Sequence, residues 1–279
     1  MKRAWSPTVG IVAVALLLPA PATAAHLDSG AQLAFDRYAA TLEARLERQH
    51  ASSETFIAVL NSGLSHRAGT LAQLESGTVI IESVLDHPKP VPGGLIHHWR
   101  GTAYVRGAKS TDMLALLRDY RDLPRTYGPE IQSASVLRER GNAASVAIRM
   151  KRKKVITIVL DGVYDVQTRA VSVSSGASSS RSNHIWEIEA AGSANERRMK
   201  EGEDDGFLWR LNSYWSFQEV PGGLLIECEA VSLTRDIPAG LSWLAGPVVE
   251  ELPRESLEFT LQATRNALAA RTAKETESE

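Results

Sequence analysis

The sequence contains very little cysteine, because Cys228 is the only one among 279 residues. A single cysteine excludes an intrachain disulfide, so the fold must be held by its hydrophobic core. Cys228 lies in the apolar segment 223–233, and a lone cysteine in such a segment is typically a small buried hydrophobic residue. We therefore predict a structural role for this thiol.

Sequence motifs of catalytic, phosphate-binding and metal-binding sites are also missing. The chain contains no G-x-S-x-G element, no Gly-rich phosphate loop and no pair of histidines at metal-binding spacing. His97 and His98 are adjacent, so on a strand they point to opposite faces and cannot bind one metal ion together. A net charge of −2 gives no basis for nucleic-acid binding, which needs clustered positive charge. We expect no cofactor, no metal and no nucleic-acid partner.

Long hydrophobic runs are absent apart from a short one near the start. Residues 9–18 are apolar, follow Lys2 and Arg3, and lead to the small residues Ala22-Thr23-Ala24. A basic start, a short apolar run and an A-x-A ending form a signal peptide. Ten residues make a helix of about 15 Å, roughly half of a bilayer core, which argues against a membrane anchor. We predict a signal peptide over 1–24, cleavage after Ala24 or Ala25, and export to a periplasm or out of the cell.

Residues 25–92 are predicted to form a helical N-terminal extension and linker. Phe35, Tyr38, Leu42 and Leu46 recur at spacings of three and four, as in an amphipathic helix over 30–50. The Pro- and Gly-rich segment 86–94 then marks a boundary. Whether this extension packs on the rest of the chain is left open by the pattern.

From residue 93 the pattern predicts an α+β fold. A strand at 95–105 and a helix at 111–120 precede a run of strands with short, turn-rich links, which favour antiparallel pairing. A long helix then covers about 242–270, and a disordered tail is expected at 273–279. The six later strands are predicted at 131–140, 143–151, 154–171, 181–190, 206–220 and 223–235.

Two of these strands alternate as half-buried strands do. In the last one, Leu224, Ile226, Cys228 and Ala230 oppose Glu227 and Glu229. In the strand before it, one face is predicted to carry Phe207, Trp209, Leu211, Trp215 and Phe217. We therefore predict a one-sided antiparallel sheet of about seven strands, curved around the C-terminal helix, with its carboxylates on the outer, solvent-facing side.

Several segments carry a family resemblance. The helix and turn at 114–124 (Leu-Ala-Leu-Leu-Arg-Asp-Tyr-Arg-Asp-Leu-Pro) and the stretch 250–257 (Glu-Glu-Leu-Pro-Arg-Glu-Ser-Leu) resemble those of the START-like, polyketide-cyclase-like superfamily. The segments 206–215 and 232–238 are similar to those of secreted bacterial members without assigned function. The resemblance covers roughly 94–270 and implies a START-like helix-grip domain over 93–272. None of these motifs is catalytic, and this scaffold carries binders, transporters and enzymes.

A sheet curved around one helix usually leaves an apolar cavity, which is the default site for a ligand. Large aromatic side chains that point inward are the best candidates to line it, although each of them could instead simply fill the core. Ser213 lies among them as either a polar anchor or a hydroxyl bonded to nearby backbone. The predicted ligand-binding residues are Trp99, Tyr164, Trp186, Trp209, Ser213, Trp215 and Trp243.

One basic run is dense enough to suggest a partner. It consists of Arg149, Lys151, Arg152, Lys153 and Lys154, and is either a solvated strand end or a patch for transient contact with anionic lipid head groups. The function predicted from the sequence is binding of a hydrophobic small molecule or lipid without catalysis. The alternatives are a cyclase- or aromatase-like enzyme, and a cell-envelope interaction protein whose helix at 30–50 docks on a partner.

Overall fold

The computed structural model describes residues 27–61, 64–153, 157–200, 202–236 and 242–276. For residues 64–66, 242–250 and 274–276 it describes the backbone alone. The predicted signal peptide and Lys154 lie outside these ranges. No helix among the described residues is long and apolar enough to span a membrane.

Five helices and ten strands make up the described chain, with 3₁₀ turns at Ala58–Asn61 and Tyr120–Asp122. The helices are α1 (Ser29–Gln49), α2 (Leu64–Glu75), α3 (Ser110–Arg118), α4 (Leu123–Thr126) and α5 (Ser242–Thr276). The strands are β1 (Ile80–Ser83), β2 (Lys89–Val91), β3 (Gly94–Arg106), β4 (Ile131–Arg140), β5 (Ala143–Lys153), β6 (Thr157–Ala170), β7 (Ser175–Glu189), β8 (Arg197–Arg198), β9 (Arg210–Val220) and β10 (Gly223–Arg235).

The strands form one curved, open antiparallel sheet in the order β1-β3-β10-β9-β7-β6-β5-β4. Two short strands lie off this path, β2 beside β3 and β8 beside β7. The sequence prediction of an α+β sheet with a long C-terminal helix is confirmed, but the sheet has ten strands where about seven were expected. The short strands β1, β2 and β8 account for the difference, because segments of two to four residues leave almost no periodic signal.

Strand β7 begins earlier than predicted. The segment 172–180 was expected to be a link because it is rich in serine and glycine, yet residues from Ser175 onward belong to β7. Small side chains are needed here, because a Cβ at Gly176 would lie 2.4 Å from the Phe217 ring. Pairing with β6 on one side and β9 on the other holds the segment extended despite its weak strand propensity.

Helix α5 lies across one face of the sheet and packs mainly on β3, β10 and β1. Its side chains Leu257, Leu261, Thr264 and Leu268 are buried, as their helical spacing predicts. The close approach depends on Gly101 of β3, where a Cβ would lie 2.2 Å from Leu261 Cδ1. The helix runs unbroken to Thr276, four residues into the predicted tail, and residues 277–279 lie outside the described part.

Helix α1 covers the opposite face of the sheet. The Asp28 carboxylate caps its first turn by accepting a hydrogen bond from the Gly30 N–H at 2.6 Å. Phe35, Leu42 and Leu46 then pack on the sheet, in a cluster that includes Val231 of β10. The sheet is thus covered on both faces, and we call these the α5 face and the α1 face.

Candidate functional site

An apolar patch lies on the α5 face, on β5, β6, β7 and around the start of β9. The described part of α5 packs mainly on the other strands, β3, β10 and β1. Arg152 of β5 contacts Ser256 of α5, so the residues two and four positions before it on the strand share the α5 face. Most side chains of the patch are half-buried, and Leu160, Tyr164 and Ile185 are buried. The apolar patch consists of Ile148, Met150, Ile158, Leu160, Tyr164, Val166, Ile185, Leu208 and Leu211.

Tyr164 is the central aromatic residue of this patch. Its ring lies along β6 over Gly162, where a Cβ would come within 2.5 Å of the ring. Burial raises the pKa of its hydroxyl above the normal range, so the phenol stays protonated. Among the described residues, the hydrogen-bond partner of its hydroxyl is the Met150 sulfur at 3.8 Å. Tyr164 therefore supplies apolar surface and a neutral O–H group.

Trp99, Ser213 and Trp215 also lie on the α5 face. Ala230 of β10 pairs with Trp99 on one side and Ser213 on the other, so the three residues form a row across the sheet. Trp215 lies one row further and is buried against α5 and α3. These three predicted residues and Tyr164 share one face, and the half-buried Ser213 lies between the apolar patch and the core.

Trp186 lies on the α1 face, away from these four. In the register of β6 and β7, Val163 pairs with His184 but Tyr164 pairs with Ser182, which leaves Asn183 as an extra residue. Such a β-bulge reverses the inside–outside alternation beyond it. Trp186 consequently pairs with Asp161, and the Arg198 guanidinium lies 4.4 Å from the centre of its ring.

Trp209 also lies on the α1 face. The residue precedes the first residue of β9, Arg210, so the alternation of that strand does not fix its direction. Its ring packs with Phe35 and Leu233, and its Nε1 donates to Asp204 at 2.9 Å. The sequence pattern that grouped Trp209 with Trp215 therefore does not hold at this end of the strand.

Two clefts open elsewhere on the surface. One, of about 230 Å³, brings Trp186 and Trp209 together beside the start of α1, with His184, Glu187 and Arg210 in its wall. The other, of about 360 Å³, is an open groove between α4 and the outer side of α5. Neither of these two clefts is lined by Trp99, Tyr164 or Trp215. The first cleft shares Ile185 with the apolar patch, and the second shares no residue with it.

The remaining predicted positions are divided by the structure or lie outside it. Trp243 belongs to α5, but its side chain lies outside the described residues. The basic run of β5 is split by strand alternation: Arg152 faces α5, and Arg149 on the other face is paired with Asp161 at 2.7 Å. Lys151 and Lys153 lie on the same face as Arg149 but do not share its ion pairs.

The α1 face buries two carboxylates that were predicted to face solvent. Glu227 and Glu229 of β10 are each 1% exposed, because α1 and the segment after it cover this side of the sheet. The prediction of an outer, solvent-facing side is wrong here, since alternation tells which residues share a face but not whether a helix covers it. A signal was available in α1, where Tyr38, Arg45 and Gln49 follow the same helical stripe as the apolar residues.

Glu229 is the centre of the hydrogen-bond network under α1. Its Oε2 accepts hydrogen bonds from Arg45 Nη2 at 2.5 Å and from His98 Nε2 at 2.8 Å. The Tyr38 hydroxyl lies 2.8 Å from the other ring nitrogen of His98, and Arg100 Nη1 lies 4.0 Å from Glu229 Oε1. Burial by itself would raise the pKa of Glu229, but the His98 hydrogen bond and the Arg45 charge outweigh it and lower the pKa.

Glu227 has weaker partners and behaves in the opposite way. Its carboxylate accepts hydrogen bonds from the Ala58 N–H at 2.9 Å and from Gln49 Nε2 at 3.2 Å. Burial, and then the charge of Glu229, raise the pKa of Glu227 to about 7. Two carboxylates separated by one residue on the same strand face therefore have pKa values shifted in opposite directions.

Metal binding gains no support from the described residues, where no three His, Cys, Asp or Glu side chains converge. Cys228 is buried in the core beneath α5, and burial raises the pKa of its thiol well above the normal range. A thiol held protonated in an apolar core is a poor nucleophile.

Comparisons with known proteins give matches at the level of structure. No family model matches the chain, and no curated protein matches it. Similar solved structures include a protein from Thermus thermophilus, with 14% identity over 62% of this chain and 97% of that one and a TM-score of 0.45. A STAR-related lipid transfer protein from Xanthomonas axonopodis has 19% identity over 67% and 98%, with a TM-score of 0.41.

The Zhui aromatase/cyclase from Streptomyces sp. R1128 has 12% identity over 65% of this chain and 96% of that one, with a TM-score of 0.41. The neighbours are START-like lipid-transfer and aromatase/cyclase proteins.

Proposed function

We propose that this protein binds or carries an apolar small molecule or lipid, held between the apolar patch and α5, without catalysis. The observation that carries this proposal is the patch itself: a contiguous group of apolar side chains, most of them half-buried, on the same sheet face that α5 grips elsewhere. Contiguous accessible apolar surface on the inner side of a fold typically marks a ligand site.

The alternatives gain less support. An interaction protein would need a free apolar stripe on α1, but Phe35 and Leu42 are buried against the sheet. A cyclase-like enzyme would need an acid at the patch that can reach the ligand. Glu187 pairs with Leu160 of the patch and burial raises its pKa, but its two carboxylate oxygens accept hydrogen bonds from the Asp205 and Phe207 N–H groups. The strongly shifted carboxyl, Glu227, lies on the α1 face, with the sheet between it and the patch.

Native mass spectrometry of the protein purified from its own host would test this proposal. We expect a mass that corresponds to residues 25–279 together with a bound apolar molecule, which organic extraction releases. This one measurement also tests the proposed export, since an N-terminus at Met1 would contradict cleavage of the signal peptide. A ligand-free mass under gentle conditions would contradict tight binding.

A pair of neighbouring substitutions locates the site. Met150→Gln places an amide in the patch, and we expect about a tenfold loss of affinity for an uncharged naphthylamine probe, because one side chain loses apolar contact. The matched control is Lys151→Gln, the next residue along β5, whose side chain lies on the other face. Equal affinities of the two variants would place the ligand elsewhere.

We further propose that Lys151 and Lys153 give the protein a transient contact with anionic membranes. Two lysines near an anionic surface contribute about 1 kcal/mol each, so the contact would be weak and sensitive to salt. Replacing both by Ser is expected to reduce binding to vesicles of phosphatidylserine and phosphatidylcholine about thirtyfold at low salt. Unchanged binding, or no binding by either protein, would remove this proposal.

A further inference from the structure

Uncharged polar side chains border the apolar patch on the α5 face. Ser180 of β7 and Ser213 of β9 lie directly opposite each other in the register, so their Cβ atoms are about 5 Å apart. Val166 of the patch pairs with Ser180, and Leu211 of the patch lies two residues before Ser213. Both serines are half-buried, and within the described ranges neither hydroxyl has a hydrogen-bond partner.

The next row of the same face is also polar and uncharged. Ser232 of β10 pairs with His97 on one side and with Leu211 on the other. His97 Nε2 lies 3.0 Å from the Thr234 hydroxyl, and burial lowers the pKa of His97 to about 4. The imidazole is therefore neutral at neutral pH and adds no positive charge to this side of the patch.

The carboxylates on this face of β7 and β9 are already occupied by the protein's own groups. Glu187 accepts hydrogen bonds from two backbone N–H groups of the segment 205–207, at 2.9 and 2.8 Å. Glu219, at the far end near α3, accepts one from the Ser110 N–H at 2.8 Å. Glu187 lies seven residues along β7 from Ser180, and Glu219 lies six residues along β9 from Ser213. At about 3.3 Å per residue, neither carboxylate reaches a head group held at these two serines.

A cation on the same side of β5 as the patch is occupied as well. Arg152 follows Met150 on the same side of β5, and its terminal nitrogens contact Glu130 and Ser256. Its Nε alone is buried without a partner. An anionic head group would have to compete with Glu130 for this guanidinium, and burying a charge without a partner is costly.

We propose that the ligand is an uncharged amphiphile, with a hydroxyl or carbonyl oxygen at the Ser180–Ser213 pair and its apolar body over the apolar patch. This inference rests on the proposed function, since it specifies the ligand of the same site. A serine hydroxyl both donates and accepts a hydrogen bond, so the pair matches a neutral oxygen and offers no charge to an ionised one.

Competition between two ligands that differ only in the head group tests this inference. In this assay, 1-dodecanol or dodecanoate is titrated against an uncharged naphthylamine probe bound to the full chain near pH 8, where the acid is ionised. We expect dodecanol to bind at least tenfold more tightly. Dodecanoate binding as tightly as dodecanol, and weakened by Arg152→Gln, would overturn the inference in favour of an anion held by Arg152.

Substitution of the serines tests the position of the head group. Ser180→Ala with Ser213→Ala is expected to weaken dodecanol binding about tenfold, in line with one or two lost hydrogen bonds. Ser179→Ala is the matched control, because Ser179 pairs with Tyr214 and faces α1. Equal dodecanol binding by all three proteins would overturn the assigned position. Absence of naphthylamine binding to the unaltered chain would instead refute the proposed function itself.

Discussion

Replacing Glu227 by Gln is expected to raise the free energy of unfolding by about 2 kcal/mol near pH 8 and to leave it almost unchanged near pH 5. A carboxyl whose pKa rises from 4.5 to about 7 on folding costs the folded state about 3 kcal/mol once it is ionised. Glutamine resembles the protonated acid and carries no such cost. The expected gain in the free energy of unfolding, about 2 kcal/mol, is smaller than this cost because the introduced amide would make one imperfect hydrogen bond, to Gln49 or to the Ala58 N–H.

The direction follows from the raised pKa. The folded state holds the proton of Glu227 more tightly than the unfolded chain does, so the group contributes its full stability below about pH 4.5. That contribution is lost as the pH rises through about 7. The introduced glutamine does not titrate over this pH range. The difference in the free energy of unfolding between the two proteins therefore grows with pH.

Urea unfolding of both proteins at a series of pH values measures this difference directly. His50 and His97, whose pKa values burial lowers to about 4, titrate in both proteins and largely cancel in the comparison. A difference that stays constant from pH 5 to pH 8 would contradict the raised pKa of Glu227.

Replacing Glu229 by Gln is expected to have the opposite effect, lowering the free energy of unfolding by about 3–5 kcal/mol near pH 7. Glu229 is the carboxylate that Arg45 and His98 both contact, and Arg100 lies nearby. The amide removes the negative charge and leaves these groups against a buried neutral side chain. Because the pKa of Glu229 is lowered on folding, the stability that it supplies is present above about pH 4.5 and is lost as the pH falls through its folded-state pKa.

The two substitutions should not be additive. Without the charge of Glu229, the pKa of Glu227 should fall, and Glu227 would become the carboxylate that faces Arg100. Replacing Glu227 in the Glu229→Gln background should then destabilise the protein, whereas the same change stabilises the unaltered chain near pH 8. A double-mutant cycle in urea measures this coupling, and additive values within about 0.5 kcal/mol would show that the carboxylates do not interact.

Much of the fold could be predicted from the sequence because alternation and helical spacing are local signals. Leu224, Ile226 and Cys228 face α5 and Glu227 and Glu229 face away, as the period of two requires. Likewise, Leu257, Leu261 and Leu268 are the buried stripe of the C-terminal helix. These features depend on near neighbours in the chain and need no knowledge of the tertiary structure.

The candidate site was harder to predict, for reasons that can be assigned to single residues. The extra residue Asn183 turns Trp186 to the opposite face, and a bulge leaves no composition signal. Trp209 lies just outside its strand, where alternation does not apply. The burial of Glu229 depends on where α1 docks, which is a contact between residues 184 positions apart in the chain.

Strand β10 alternates between two environments that cannot be exchanged. A slip of one residue in its pairing with β3 or β9 would turn Glu227 and Glu229 toward Leu257 and Leu261, and would leave Arg45 facing Ile226 or Cys228. In such a misaligned sheet two unpaired charges would be buried, and neither α1 nor α5 could pack on it as observed. The two carboxylates thus disfavour a one-residue slip of β10, because only the observed alignment places them under α1 and places Ile226 and Cys228 under α5.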